Sequence, residues 1–228
     1  MEAIPPDGPN ENWSARRRHR LSRFMARQDF IAHRDELIAE GFSPSQIKNW
    51  VRSGRLVTII RSVFAYGRDI ETRSALWRAA LLAAGPGSAL TGRSACEALG
   101  LVRTWPGMPA VVEVASPAGQ ARRFRGMSPN LRNTTVSVVR RNFEPGDVLT
   151  LEGISTVKPA LALIDFAGDA SRRAVWFAFL EACRLFHFGP EDARFLSARM
   201  SNRAGAGKMR PLVDRLERST SDSSREPG

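Results

Sequence analysis

Residues Ser43 to Leu56 read SPSQIKNWVRSGRL, and the way this stretch folds sets the reading of the rest. Ser43 suits an N-cap, because its hydroxyl can accept one of the backbone N–H groups that a helix start leaves without a partner. Pro44 fits the first helical position, where no N–H is needed. Gln46, three residues after the cap, can reach back to Ser43 and complete a capping box. Gly54 supplies the stop. Within these limits Ile47, Trp50 and Val51 share one face. Ser45, Lys48, Asn49 and Arg52 fall at i, i+3, i+4 and i+7 on the opposite face, which is polar and cationic throughout. Trp50 is read as core rather than as a stacking platform.

Upstream, HRDELIAEG offers Leu37 and Ile38 as an apolar face with Gly41 as a C-cap, so the spacing predicts two helices joined by Gly41-Phe42-Ser43. An earlier helix is expected over about Arg16 to Gln28. Downstream, RLVTII and VFAYG are two β-rich runs joined through Arg61-Ser62. Helix, turn, helix and hairpin together predict a winged helix-turn-helix over 15–70. A helix with short polar and cationic groups fits the major groove, and basic residues on a wing neutralise phosphates. The candidate DNA-binding residues are therefore Ser45, Lys48, Asn49, Arg52, Arg55 and Arg61, with double-stranded DNA as the partner. Such helix pairs also serve as packing or protein-docking modules; the acid-free face favours DNA.

The charge distribution agrees. The chain has 228 residues, a formal net charge of +11 and a pI near 11.2. Arginine enrichment can reflect only a GC-rich genome, so local placement has to decide. From Pro44 to Arg68 the sequence carries Lys48, Arg52, Arg55, Arg61 and Arg68 and no acid. A second acid-free span contains Arg122, Arg123, Arg125, Arg132, Arg140 and Arg141. Leu151 to Gly228, with 12 basic and 10 acidic residues, is nearly balanced, so the excess lies in the first two thirds.

A hydrophobic content of 43% supports a sizeable core. Cys96 and Cys183 stand alone in helical patterns, and His19, His33 and His187 are too scattered for a metal constellation; no metal or cofactor is expected. The apolar run at Ala79–Ala84 is bounded by Arg78 and by Gly85-Pro86-Gly87, short of the roughly 20 residues that span a bilayer. The N-terminus lacks a secretory pattern, so no membrane association and a cytoplasmic location are expected.

Residues 71–218 are expected to form a mixed α/β domain, making the chain α+β. Helices are predicted over Thr72–Ala84 and Thr91–Leu99, strands near Val111–Ala115, Thr135–Val139 and Ile154–Val157, and a helix from Pro159. Three more helices, near Ser171–Phe186, Pro190–Met200 and Gly205–Glu217, should bundle around Trp176, Phe177, Leu180, Leu196 and Leu212. The polar ends, 1–14 and 219–228, are expected to be disordered. Catalytic residues are not expected. Glu113 in PAVVEVASP lacks the lysine at i+2 that a PD-(D/E)xK nuclease needs, since Ala115 stands there. AGAGKM at Ala204–Met209 fails the phosphate-loop pattern and reads as a loop entering the last helix. Asp165 reads as a structural hydrogen-bonding residue.

ELIAEGFSPSQIKNWVRSGRLVTIIRSVFAYG resembles the N-terminal domain of AbiEi-family antitoxins of type IV toxin-antitoxin systems. LWRAALLAAGPGSALTGRSACEALGL and GISTVKPALALIDFAG resemble later segments of the same family, so the resemblance covers about Leu21 to Leu216. It differs at Thr91-Gly92, where many relatives have Ser-His, at Leu161 and Ala162, which replace a polar pair, and at Ser62, where a wing glycine is common. The resemblance implies a DNA-binding transcriptional regulator that binds its own promoter and opposes a nucleotidyltransferase-like toxin. Some chains of similar architecture continue into a nuclease domain like that of very-short-patch repair enzymes. The alternative expectation is therefore an accessory or remnant half of such a nuclease that positions DNA.

Overall fold

A three-stranded antiparallel sheet of β1 (Ile31–His33), β2 (Leu56–Ile60) and β3 (Val63–Tyr66), in the order β1-β3-β2, separates two cores. Side chains alternate across a strand, so each strand feeds both. Ala32, Leu56 and Phe64 point to one side, where α1 (Pro9–Arg27) supplies Leu21, Phe24 and Met25. On that side α2 (Arg34–Ala39) adds Leu37, the turn Phe42, and α3 (Pro44–Arg52) Ile47 and Trp50. Ile31, Ile59, Ile60, Val63 and Ala65 belong to the larger core on the other side. Two consecutive residues, Ile59 and Ile60, share that side because the ladder shifts: Thr58 pairs with Phe64 and Ile60 with Val63, leaving Ile59 as a bulge.

The computed structural model describes residues 9–104, 106–117, 121–200 and 204–223. Residues 1–8 and 224–228 of the expected disordered ends fall outside these. The helix α1 begins at Pro9, within 1–14, and the last helix runs to Ser223, beyond the expected limit at 218.

A second sheet has six strands in the order β6-β7-β5-β4-β9-β8. They are β4 (Ala89–Leu90), β5 (Val111–Ser116), β6 (Arg122–Arg125), β7 (Thr135–Arg140), β8 (Val148–Leu151) and β9 (Ile154–Val157). The pairs β5–β7 and β4–β9 are parallel and the others antiparallel. The alternation of β5 assigns its covers. Ser116 Oγ donates to the carbonyl of Ala84 at the end of α4 (Arg73–Ala84), whereas the Glu113 side chain meets the start of α5 (Gly92–Ala98) on the other face. α4 also contributes Leu76, Ala79, Ala80 and Ala84 to the larger core, which contains the inner face of the three-stranded sheet as well. The architecture is α+β, with two sheets and nine α-helices among the described residues.

α6 (Pro159–Asp169) is apolar on nearly every side, with Ala160 to Ile164 all buried, so it must be wrapped by other elements. α7 (Arg172–Phe186), α8 (Pro190–Met200) and α9 (Ala206–Ser223) surround it. Only Ala204 and Gly205 of the AGAGKM stretch form the turn entering α9; Ala206–Met209, expected as loop, is the first turn of that helix, because Lys208 anchors it to the end of α6. A Cβ on Gly205 would lie 2.4 Å from the Ala167 backbone, and Lys208 Nζ donates to the carbonyls of Ala167, Gly168 and Ala170 at 2.8, 3.1 and 2.8 Å. A lysine there satisfies the carbonyls at the C-terminus of α6.

The expected bundle core needs correction at two positions. Leu196 and Leu212 are buried and Trp176 half-buried, but Phe177 and Leu180 are 53% and 43% exposed. The inward stripe of α7 is Val175, Ala178, Phe179 and Ala182, at i, i+3, i+4 and i+7, which turns Phe177 and Leu180 outward. Of the cysteines, Cys96 is buried and Cys183 half-buried, both as free thiols.

Candidate nucleic-acid interface

The two helices α2 and α3 are fastened at every internal end. Gly41 N–H bonds to Ile38 O and Phe42 N–H to Leu37 O, the paired bonds of a Schellman motif with Gly41 at φ 92°. Gly54 repeats the motif after α3, with Gly54 N–H to Val51 O, Arg55 N–H to Trp50 O and φ 71°. At the start of α3, Ser43 N–H donates to Gln46 Oε1 at 2.7 Å and Gln46 N–H to Ser43 Oγ at 3.3 Å. Gln46 is thereby committed to the cap. Beneath the helix, Trp50 packs edge-on against Phe42 with ring centroids 5.0 Å apart.

This framework presents Ser45, Lys48, Asn49 and Arg52 together on the exposed side of α3. Arg52 Nη1 lies 3.4 Å from Asn49 Oδ1, one turn apart. Arg55 is exposed just past the helix, its carbonyl held by Gly67 N–H at 2.8 Å. Arg61 is exposed at the other end of β2, roughly 15–20 Å further along an extended strand. Its neighbour Ser62 has φ 67° in the two-residue turn, and Ser62 O accepts from Arg34 N–H at 2.7 Å, tying the turn to the start of α2. Among the described residues, none of Lys48, Arg52, Arg55 and Arg61 pairs with a carboxylate.

A basic stripe that the sequence reading did not single out runs along α1. Arg16, His19, Arg20, Arg23 and Arg27 recur at i, i+3, i+4, i+7 and i+11, a spacing visible in the sequence, and line a groove of about 640 Å³ with Glu40. Arg20 stacks over Phe42 at 5.3 Å, and Arg20 and Arg27 each approach Glu40 at 3.6 Å. The stripe thus flanks the turn between α2 and α3.

A second cluster of charges lines a cleft of about 860 Å³ beside α5. Thr91, the N-cap of α5, makes no capping bond; its hydroxyl donates to Asp165 Oδ2. Glu113 serves the helix instead, accepting from Arg93 N–H at 2.6 Å, while Ser94 Oγ accepts from Glu113 N–H at 2.9 Å. A Cβ at Gly92 would lie 2.7 Å from the Glu113 carboxylate, and φ there is 53°, so glycine at this position leaves room for Glu113. Burial pushes the Glu113 carboxyl above its usual range, against the pull of its backbone hydrogen bonds. Asp165 receives both guanidinium nitrogens of Arg141, Nη2 at 2.6 Å from Oδ1. Glu97 holds Arg73 at 2.6 Å and Arg93 at 3.0 Å. Beneath them, burial and these carboxylates raise the Cys96 thiol well above its ordinary value. Asp165 and Arg141 are 24 residues apart, and no spacing rule joins them in the sequence.

Among the described residues, no group of three His, Cys, Asp or Glu side chains is disposed to hold a metal ion, and no helix is long and apolar enough to cross a membrane. No family model and no curated protein matches the chain. Its fold is similar to the crystal structure of the RV2827C protein from Mycobacterium tuberculosis, with a TM-score of 0.54 and 19% identity over 94% of this chain and 78% of that one. At that identity the likeness speaks for the fold alone.

Proposed function

We propose that the chain is a non-enzymatic, duplex-DNA-binding regulator in which residues 15–70 form a winged helix, with α3 in the major groove. The observation that carries the reading is the acid-free, exposed face of α3, mounted on a helix capped at both ends and free of competing carboxylates among the described residues. The order α1-β1-α2-α3-β2-β3 with sheet order β1-β3-β2 supports the winged-helix assignment. In this role Lys48 and Arg52 attract the duplex, and Asn49, whose amide can donate and accept together, suits an adenine edge. Arg55 and Arg61 hold phosphates. The resemblance to AbiEi antitoxins extends the proposal to a promoter-binding antitoxin opposing a nucleotidyltransferase-like toxin.

The test separates the two faces of α3. Lys48→Ala with Arg52→Ala should weaken duplex binding and flatten its salt dependence by about two in the log-log slope. The melting temperature should stay nearly unchanged, since exposed substitutions shift stability by about 0.5 kcal/mol or less. Ile47→Ala should cost roughly 2–4 kcal/mol and lose binding only through unfolding. Binding by the polar-face variant equal to the parent's at matched salt would overturn the reading in favour of protein docking.

A further inference from the structure

The second acid-free span, Arg122–Arg141, lies far from α3 in sequence but not in the fold. β2 is an edge of the three-stranded sheet and β6 an edge of the six-stranded sheet. The two edges meet where Met127, just after β6, donates its N–H to the carbonyl of the bulge residue Ile59 at 2.8 Å. Arg61 follows Ile59 by two residues, and Arg125 precedes Met127 by two. The joint is fixed on both sides. Gly126 passes so close to Leu131 that a Cβ would lie 2.1 Å from the Leu131 carbonyl oxygen. Asn130 then bonds through its N–H to Asp69 Oδ2 at 2.9 Å and through its amide to Ile70 O at 3.1 Å, clamping the following turn to the segment that leaves β3.

Pairing fixes where the arginines of β6 project. Arg123 lies opposite Ser137 and Arg125 opposite Thr135 on β7, so both share a sheet face with these hydroxyls and with the exposed Val139. Arg122 and Phe124 take the other face, where Arg122 is engaged with the Ala84 carbonyl at 3.2 Å and with the Phe124 ring. Arg123 and Arg125 are exposed and, among the described residues, meet no carboxylate, unlike Arg141, which is held by Asp165.

Resting on the DNA reading above, we propose that Arg123 and Arg125 form a second phosphate-binding site that continues the surface from Arg61 across the Ile59–Met127 joint, so that the bound duplex extends past the hairpin onto β6. Guanidinium groups beside serine and threonine hydroxyls, with no base-reading amide among them, suit phosphate oxygens and carry no sequence preference. The site adds affinity and length to the footprint.

The experiment measures binding of the full chain to random-sequence duplexes of about one helical turn, roughly 10 bp, and of about three turns, across a salt series. Arg123→Ala with Arg125→Ala should leave affinity for the short duplex within about twofold of the parent, remove most of the gain on the long duplex, and lower its log-log salt slope by about two. Arg123→Lys with Arg125→Lys should retain the gain, and melting temperatures equal to the parent's keep folding out of the comparison. A parent that binds neither duplex overturns the DNA reading itself. If the parent binds and the alanine pair matches it on both lengths, only this inference falls, and the strand is left to an acidic protein partner. Equal loss on both lengths also overturns it, because the arginines would then act as general charge rather than as a site.

Discussion

The cations of α3 and those beside α5 are chemically alike and differently employed. Arg141, Arg73 and Arg93 each meet a carboxylate, and through these pairs they join β7, α4, α5 and α6. Lys48, Arg52, Arg55 and Arg61 meet none among the described residues, and they sit on elements already fixed by caps and by apolar packing. Charge beside α5, the first of these two groups, fastens the fold. At the second, removing charge should leave the fold intact and change only what the surface attracts.

The largest expected effect tests the fastening side. Asp165→Ala takes the carboxylate from the Arg141 guanidinium in a largely enclosed position, where Asp165 and Arg141 side chains are 14% and 16% exposed, and leaves Arg141 only its 3.3 Å hydrogen bond to the Thr91 hydroxyl in this cluster. Loss of one partner of such a pair should cost about 3 kcal/mol, a fall in melting temperature of roughly 6–12 °C for a chain of this size. Adding Arg141→Ala should recover part of the loss, and simple additivity in the double-mutant cycle would show that the two side chains do not act as a pair. No matching coupling is expected between Lys48 and Arg52.

A smaller effect should follow pH. With its carboxyl raised by burial, Glu113 binds a proton more readily in the folded protein than in the unfolded chain. Its contribution to stability is therefore greatest at acid pH and declines as pH rises through the folded value. Glu113→Gln keeps an acceptor for Arg93 N–H without the charge. Its melting temperature at neutral pH should equal or exceed the parent's, and the difference should shrink on acidification. A variant that is less stable than the parent at neutral pH but not at acid pH would mean that the helix start needs the negative charge.

The smallest effect belongs to the hairpin turn. Ser62 holds φ 67°, a region glycine enters without a Cβ penalty. Ser62→Gly should stabilise by about 0.5 kcal/mol, raising the melting temperature by roughly 1–2 °C and leaving duplex affinity unchanged. A fall in affinity with the rise in stability would tie the serine hydroxyl itself to the ligand.

What the sequence made legible follows the range of the interactions. The box at Ser43 and Gln46, the stop at Gly54 and the two faces of α3 depend on neighbours within four residues, and they stand as expected. The missed strands carry weak local signals. β1 has three residues, β4 has two, and the four of β6 are mostly arginine, which hides a strand under charge. β8 had a readable cue in Glu152-Gly153, both at positive φ in the turn to β9. The Asp165–Arg141 pair and the Ile59–Met127 joint were beyond sequence reading because each depends on two segments that only the folded sheet brings together. Phe177 and Leu180 failed for another reason: α7 is apolar enough to offer two candidate stripes, and the packing against α6 selects one.

The bulge at Ile59 carries a consequence for how the molecule comes apart. Because Ile59 and Ile60 both enter the larger core beside Val63, Ala65 and Ile31, the three-stranded sheet has no spare face, and each half of the chain is part of the other's interior. Heating should accordingly melt both in a single cooperative step, with calorimetric and van't Hoff enthalpies in agreement. A fragment ending near residue 70 would bare the isoleucines of its own sheet to water and associate through them. The cooperative unit that would meet DNA is larger than the helices and hairpin that would touch it.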